Sequence, residues 1–207
     1  MRPGPPRLFR AAAGHSLISL LAALSLLAGL AGTATLAIRR QVSRQQPVAA
    51  ARSFVSEVRL RRSEAIARAR RLGLAFEQEE GEWLVSLHED GDGDGVRADD
   101  RRSGRDPRLE GPMPFAQRYG ALGPGFLPGL EELPSPPPHS RMLTDLSDPV
   151  RFGRGDVLSF SPRGSSTPGT LYLTDGDLRQ LAVVVYGGSV RVRVWEWVPA
   201  AEEWRRR

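Results

Sequence analysis

Three aspartates separated by single residues could bind a cation. Asp90, Asp92 and Asp94, followed by Gly95, match the D-x-D-x-D-G opening of a calcium-binding loop. The twelfth position of such a loop supplies a bidentate glutamate, and here it is Arg101. We therefore predict a solvated Asp-Gly turn in preference to a calcium site, and we predict no metal or other cofactor.

Two arginines near the end of the sequence could contact an anionic polymer. Arg191 and Arg193 alternate along a predicted strand with Trp195 and Trp197. Exposed guanidinium groups and aromatic rings in this arrangement suit the backbone and bases of nucleic acid. The same alternation is typical of an amphipathic edge strand whose arginines extend into water. We favour the edge strand and keep nucleic acid as the alternative partner.

The side chains that enzymes use most often are scarce. The 207 residues include no cysteine and 3 histidines, and all 29 basic residues are arginine. Disulfides, thiolate nucleophiles and Schiff-base lysines are therefore excluded. No combination of serine, histidine and aspartate has local support in the sequence. We expect no enzymatic activity, and the net charge of +5 favours an anionic partner.

The first forty residues consist of a basic segment followed by a long uncharged segment. Residues 1–14 form a basic leader without an acidic side chain, and residues 15–38 contain no charged side chain. As a helix, residues 15–38 would be about 36 Å long, enough to cross a bilayer. We predict a transmembrane helix over 15–38. A secretory signal cleaved near residues 28–35 and a plain membrane anchor remain the alternatives.

Helical periodicity resumes after Pro47, which we expect to interrupt the first helix. Apolar residues at steps of three and four predict an amphipathic helix over 49–72, with Gly73 as its C-cap. Its arginine-rich face is typical of a solvated surface. Residues 15–72 together are expected to form a long N-terminal hydrophobic spine helix.

The remainder of the chain, 73–207, is predicted to be an antiparallel β domain. Short β-rich runs and a Gly187-Gly188 turn indicate strands and a hairpin; the runs are Glu82–His88, Val157–Phe160, Thr170–Thr174 and Leu181–Tyr186. A Pro/Gly-rich stretch, 97–149, is expected to be a long loop containing short strands. A spine helix packed on an antiparallel sheet makes the predicted fold class α+β.

The junction between leader and apolar segment is similar to that of type IV prepilins. Gly14-His15-Ser16-Leu17-Ile18-Ser19-Leu20-Leu21 follows a basic leader, as the prepilin cleavage and methylation motif does. The resemblance implies cleavage by a prepilin peptidase between Gly14 and His15, and N-methylation of His15. The family has glutamate where this chain has Ser19. Since that glutamate is thought to pair with a neighbouring subunit, Ser19 predicts a low-copy or tip position.

Further motifs resemble the GspH/FimT minor pseudopilins in their order along the chain. Val58–Ile66 is similar to the helix of those proteins, and it is followed by Trp83 and by the Asp90–Gly95 turn. The Gly169-Thr170-Leu171 run and the hairpin of residues 188–194 complete the order. This resemblance covers both ends of the chain and omits about fifty residues in the middle.

The resemblance implies a pilin-like fold and a structural role. The chain would be a minor pseudopilin or pilin of a type II secretion pseudopilus or a type IV pilus, with other such subunits and prepilin peptidase as partners. It would lie in the bacterial inner membrane as a single-pass protein with residues 73–207 in the periplasm. A DNA-binding minor pilin, contacting DNA through Arg191 and Arg193, and a membrane-anchored periplasmic domain without a filament role are the alternatives.

Overall fold

The computed structural model describes residues 17–120, 122–139, 141–153, 155–188 and 191–207. The chain divides into two compact units, Met1–Arg44 and Gln45–Arg207. The predicted processing site, Gly14 and His15, lies outside the described residues.

One long helix, α1, runs from Leu17 to Arg68, and it is the only helix of seven or more residues in the described part of the chain. Phe54, Val58 and Ala65 are fully buried on one face of its C-terminal part, at spacings that bring them to the same side. The helix ends where Ala69 adopts a positive φ of 52°, a left-handed conformation that terminates many helices.

Two short helices and a 3-10 turn complete the helical structure of the described residues. They are α2 (Ala98–Ser103), α3 (Phe115–Tyr119) and the 3-10 turn Pro199–Ala201.

Twelve strands lie in the described residues, and all their pairings are antiparallel. The strands are β1 (Leu72–Glu79), β2 (Glu82–Glu89), β3 (Arg108–Pro114), β4 (Gly123–Pro124), β5 (Leu133–Pro134), β6 (Met142–Leu143), β7 (Val150–Phe152), β8 (Val157–Phe160), β9 (Gly169–Thr174), β10 (Gln180–Tyr186), β11 (Arg191–Val198) and β12 (Glu203–Arg206). The first sheet has the order β3-β2-β1-β8. The second has the order β12-β11-β10-β9-β4, with β7 also paired to β9, and β5 pairs with β6.

The second sheet is buried on both faces. On β9, Leu171 and Leu173 belong to the main core, together with Phe54 of α1 and residues of the first sheet. Tyr172 points to the opposite face, because side chains alternate along a strand, and there it joins a smaller cluster with Trp197. Residues of the 97–149 stretch cover this second face, namely Phe126, Leu130, Leu133, Leu143 and Leu146. The Pro/Gly-rich stretch therefore closes the outer side of the sheet.

The prediction of an α+β fold with a long hydrophobic spine helix is wrong. Outside α1, the regular structure of the described residues is mostly antiparallel sheet, and no long apolar helix packs on the sheets. Only a narrow face of α1, around Phe54 and Val58, reaches the main core. The reason is local: arginine, glutamate and serine occupy most other positions of residues 51–68, so the apolar stripe is thin.

The predicted transmembrane helix over 15–38 and the single-pass inner-membrane location are also wrong. No helix in the described ranges combines the length and the apolar composition needed to cross a bilayer. The prediction rested on the length of the uncharged segment and on its leucine and alanine content. Small and hydroxyl-bearing residues recur in this segment, among them Ser19, Ser25, Gly29, Gly32, Thr33 and Thr35.

Two predicted helix boundaries are corrected as well. Pro47 lies inside α1 and does not end it. Gly73 is not a C-cap but a residue of β1, where a side chain would collide with Val157 and Val96 at 2.9 Å. The four predicted β-rich runs are confirmed as parts of β2, β8, β9 and β10.

Candidate functional site

The acidic turn between β2 and α2 is held by two buried carboxylates, Asp90 within the turn and Asp106 after α2. Asp90 accepts hydrogen bonds from the amides of Gly93 (2.7 Å) and Gly95 (3.0 Å). Asp106 accepts from the amides of Gly91 (3.0 Å) and Arg97 (2.9 Å). Since Asp106 is distant in sequence from the D-x-D-x-D run, sequence reasoning missed it. These bonds satisfy backbone donors that would otherwise be buried without partners.

The exposed carboxylates of the turn face arginines. One oxygen from each of Asp90, Asp92 and Asp94 lies within 4.8 Å of the others. Desolvation and the adjacent Asp92 carboxylate raise the pKa of Asp94. Arg97 forms an ion pair with Asp94 at 2.6 Å. Arg101, at the position where a calcium loop has glutamate, pairs instead with Glu77 of β1 at 2.8 Å. Calcium binding at the turn stays an untested sequence alternative.

A serine and a histidine on β2 form a pair that sequence reasoning also missed. Ser86 Oγ lies 3.0 Å from His88 Nε2, and the Asp106 carbonyl oxygen lies 3.2 Å from His88 Nδ1. Burial lowers the pKa of His88. The spacing of two residues on a strand places both side chains on one face. A hydroxyl beside an imidazole is a nucleophile–base pattern, and in this pair both residues are buried.

A buried ionic cluster joins α1 to β3 and α3. Arg118 donates to Glu57 (Nε to Oε2, 2.8 Å) and to Glu110 (2.8 Å). Arg61 also pairs with both glutamates and with Glu64. Burial alone would raise the pKa of Glu57, yet the hydrogen bonds and charge of Arg118, with a hydrogen bond from Arg61, hold it below its ordinary value. The same two arginines lower the pKa of Glu110 against its partial burial.

Tyr119 lies beside this cluster and stays protonated at neutral pH. Burial, together with the negative charge of Glu57, raises the pKa of Tyr119 well above its ordinary value. Its ring also packs edge-on against Phe54, with 5.4 Å between the ring centroids. The cluster is therefore continuous with the main core, and its chemistry is that of a structural ion network.

A basic groove of about 390 Å³ lies between α1 and the β11–β12 edge. It is lined by five arginines and four uncharged residues, with no acidic side chain: Arg52, Val55, Ser56, Arg59, Val192, Arg193, Val194, Arg206 and Arg207. We call these nine residues the basic groove. A concave surface with one sign of charge concentrates the electrostatic potential and attracts anions.

The two arginines predicted from sequence have different surroundings. Arg193 lines the basic groove, and its guanidinium lies over the Tyr186 ring at 5.6 Å. Arg191 is exposed at the start of β11, opposite Tyr186 in the register. The expected aromatic platform is not open, because Trp197 is only 8% exposed and Trp195 packs on the same cluster. Arg52, Arg59 and Arg206, which line the basic groove, were not singled out from the sequence.

The comparisons with known proteins return nothing, since no family model, no curated protein and no solved structure matches the chain. They therefore support neither a family assignment nor a function.

Proposed function

We propose that the chain is a structural subunit of the minor pseudopilin or pilin type, processed between Gly14 and His15 and assembled with similar subunits through its N-terminal helix. The order of motifs from the leader to the C-terminal hairpin supports this proposal. The acidic turn, which is held by hydrogen bonds, and the ion network around Arg118, which lies inside the core, also support a structural role.

The observation that carries the proposal is a leucine face on the first part of α1. Leu20, Leu21 and Leu24 are 58%, 57% and 54% exposed. Leu24 follows Leu20 by four positions and Leu21 by three, so its side chain neighbours both of theirs on the helix surface. A contiguous exposed apolar face on a helix marks an interaction surface. The leucine face, defined as these three residues, is where a helix of a neighbouring subunit packs.

Processing is tested by the intact mass of the protein after coexpression with a prepilin peptidase. The expected product lacks residues 1–14 and carries one added methyl group on His15. A Gly14→Val variant, which blocks the close approach that a glycine allows at the scissile bond, is expected to keep its full mass. Recovery of unprocessed native chain with an active peptidase contradicts the proposal.

Assembly is tested by chemical cross-linking of the full chain. Leu24→Gln is expected to reduce the ladder of cross-linked oligomers, because it puts a polar amide into the contact. Leu178→Gln is the matched control, since Leu178 is 73% exposed and lies in the turn before β10. Equal ladders from both variants contradict assembly through the leucine face.

The position in the assembly is tested at Ser19. Restoring the family's glutamate with Ser19→Glu is expected to raise the number of copies per filament, because a buried glutamate needs the charge of a neighbouring subunit. An unchanged copy number contradicts a tip position. It does not bear on processing or on the helix contacts, which the two preceding experiments test.

A further inference from the structure

The basic groove carries positive charge that the rest of the described chain does not neutralise. Arg207 forms an ion pair with Glu196, and Arg193 lies over the Tyr186 ring. Arg52, Arg59 and Arg206 form no ion pair with any described residue. All three side chains are exposed. The groove therefore keeps several guanidinium groups available to an anionic partner.

The β1–β2 hairpin carries the opposite charge at its tip. Glu80 and Gly81 form a two-residue turn with φ values of 50° and 85°. Positive φ at both residues is typical of the tight turns that connect hairpin strands. Glu79, Glu80 and Glu82 are all exposed, and none pairs with a cation among the described residues. We call these three glutamates the acidic tip.

The register of the hairpin makes the acidic tip unfavourable within one copy. Glu79 lies directly opposite Glu82 on the neighbouring strand, and like charges in that position destabilise a sheet. The next pair inward is Gln78 and Trp83, which supplies no positive charge. A cationic partner from outside the copy would remove this repulsion.

We propose that the acidic tip of one copy binds the basic groove of a second copy. Both surfaces belong to the unit Gln45–Arg207 and use different residues, so the contact is head-to-tail. Contacts of that kind propagate into open filaments when they do not close into rings. The inference rests on the proposed function and adds a second contact beside the leucine face.

A hairpin suits the groove better than a nucleic acid does. A groove of about 390 Å³ has the size of a pocket for a few side chains, and a tight two-residue turn presents that number at its end. Nucleic acid recognition by stacking needs open aromatic rings, whereas Trp195 and Trp197 are packed in the outer cluster.

Disulfide cross-linking between copies tests the contact in the full chain. The natural sequence has no cysteine, so each introduced thiol is unique. Ser56→Cys lies in the groove and Gln78→Cys beside the acidic tip, and neither removes a charge. Mixing the two variants under oxidation is expected to give a heterodimer. Ser63→Cys, an exposed serine of the same helix outside the groove, is the matched control and is expected to give none.

Charge reversal tests whether electrostatics hold the contact. Arg52→Glu with Arg59→Glu in the Ser56→Cys copy is expected to lower the yield of heterodimer about tenfold. Adding Glu79→Arg with Glu82→Arg to the Gln78→Cys copy is expected to restore it. Arg163→Glu with Arg191→Glu changes the net charge equally at exposed arginines outside the groove, and is expected to leave the yield unchanged.

The outcomes separate this contact from the proposed function. Loss of helix-mediated ladders in Leu24→Gln, together with no tip-to-groove heterodimer, overturns this inference alone. Equal yields with Ser56→Cys and Ser63→Cys, or a yield insensitive to charge reversal, also overturn it. Retardation of a duplex oligonucleotide that Arg52→Glu with Arg59→Glu abolishes, with no heterodimer, assigns the groove to nucleic acid and overturns it too.

Discussion

Arg118 shows how one side chain can hold two distant elements together. Its guanidinium joins Glu57 of α1 to Glu110 of β3, and the side chains of Arg118 and Glu57 are 12% and 10% exposed. Removing one partner of a buried ion pair leaves an uncompensated charge. The stability of the cluster therefore depends on each member.

We expect Arg118→Gln to lower the free energy of unfolding by about 3 kcal/mol at pH 7, the low end for a buried pair because Glu110 stays partly open to water. Urea unfolding followed by far-UV circular dichroism measures this. Arg102→Gln is the control, since its ion pair with Asp99 is exposed, and it is expected to change stability by less than about 1 kcal/mol. A larger effect at Arg102 contradicts the prediction.

The same cluster predicts a pH dependence. The pKa values of Glu57 and Glu110 are lowered by folding, so the folded state binds fewer protons than the unfolded state near pH 4. The stabilisation is therefore complete above the unfolded pKa of about 4.3 and is lost as pH falls through the lower folded values. The difference between native chain and Arg118→Gln is expected to shrink between pH 7 and about pH 3. A constant difference contradicts this origin.

Asp106 has a comparable role in the acidic turn. It is 1% exposed and accepts two backbone amides, so Asp106→Ala leaves both donors unsatisfied. We expect a loss of about 2 kcal/mol in the free energy of unfolding. Asp99→Ala, at an exposed position of α2, is the control and is expected to stay within about 0.5 kcal/mol. Thermal unfolding of the two variants distinguishes them.

At the scale of elements, the approach of β7 to β9 requires a glycine. A Cβ at Gly169 would lie 2.2 Å from the Arg151 carbonyl oxygen and 2.5 Å from Phe152 Cδ1. Neither contact is relieved by moving the end of a flexible side chain. The pairing of these two strands therefore depends on the missing side chain.

Gly169→Ala is accordingly expected to destabilise the fold by about 3 kcal/mol and to raise amide exchange in β7. Gly123→Ala is the matched control, because Gly123 lies in β4 of the same sheet and a Cβ there meets nothing within 4 Å. Hydrogen exchange and urea unfolding of both variants provide the measurement. Similar stabilities of the two variants contradict the steric argument.

At the scale of the whole molecule, the outer cluster ties the end of the chain to the 97–149 stretch. Trp204 Nε1 donates to the Pro134 carbonyl at 2.6 Å. The Trp204 ring lies 5.5 Å from Trp197 and 6.4 Å from Tyr172. Trp204 therefore links the 97–149 stretch, which covers the outer face of the second sheet, to the sheet itself.

Trp204→Ala is expected to lower the free energy of unfolding by about 3 kcal/mol and to increase hydrogen exchange across residues 126–146. Tyr186→Phe is the control, because it removes only the exposed hydrogen bond to the Pro137 carbonyl and is expected to cost at most about 1 kcal/mol. Unchanged exchange over 126–146 in Trp204→Ala would mean that the cover does not depend on this contact.

Sequence periodicity predicted the positions of several strands but not how the strands pair into sheets. Val157–Phe160 and the run Leu181–Tyr186 lie where β propensity placed them, because a strand buries a face that its own residues define. Strand β1 was missed, since its first half is buried on both sides and lacks alternation. The fold class was wrong because helical periodicity does not show how much of a helix is buried, and only a few residues of α1, such as Phe54 and Val58, reach the main core.

The pairings that hold the molecule together join residues that no local pattern connects. Arg118 and Glu57 are 61 positions apart, and Trp204 and Pro134 are 70 positions apart. The basic groove likewise combines α1 with β11 and β12. Composition and alternation alone identified a chain that is rich in short strands, has no cysteine and has arginine in place of every lysine. Only the tertiary structure decides which charged side chains form ion pairs and which stay unpaired. The topology brings distant residues together, and these neighbours set the burial and the Coulomb energy of each charge.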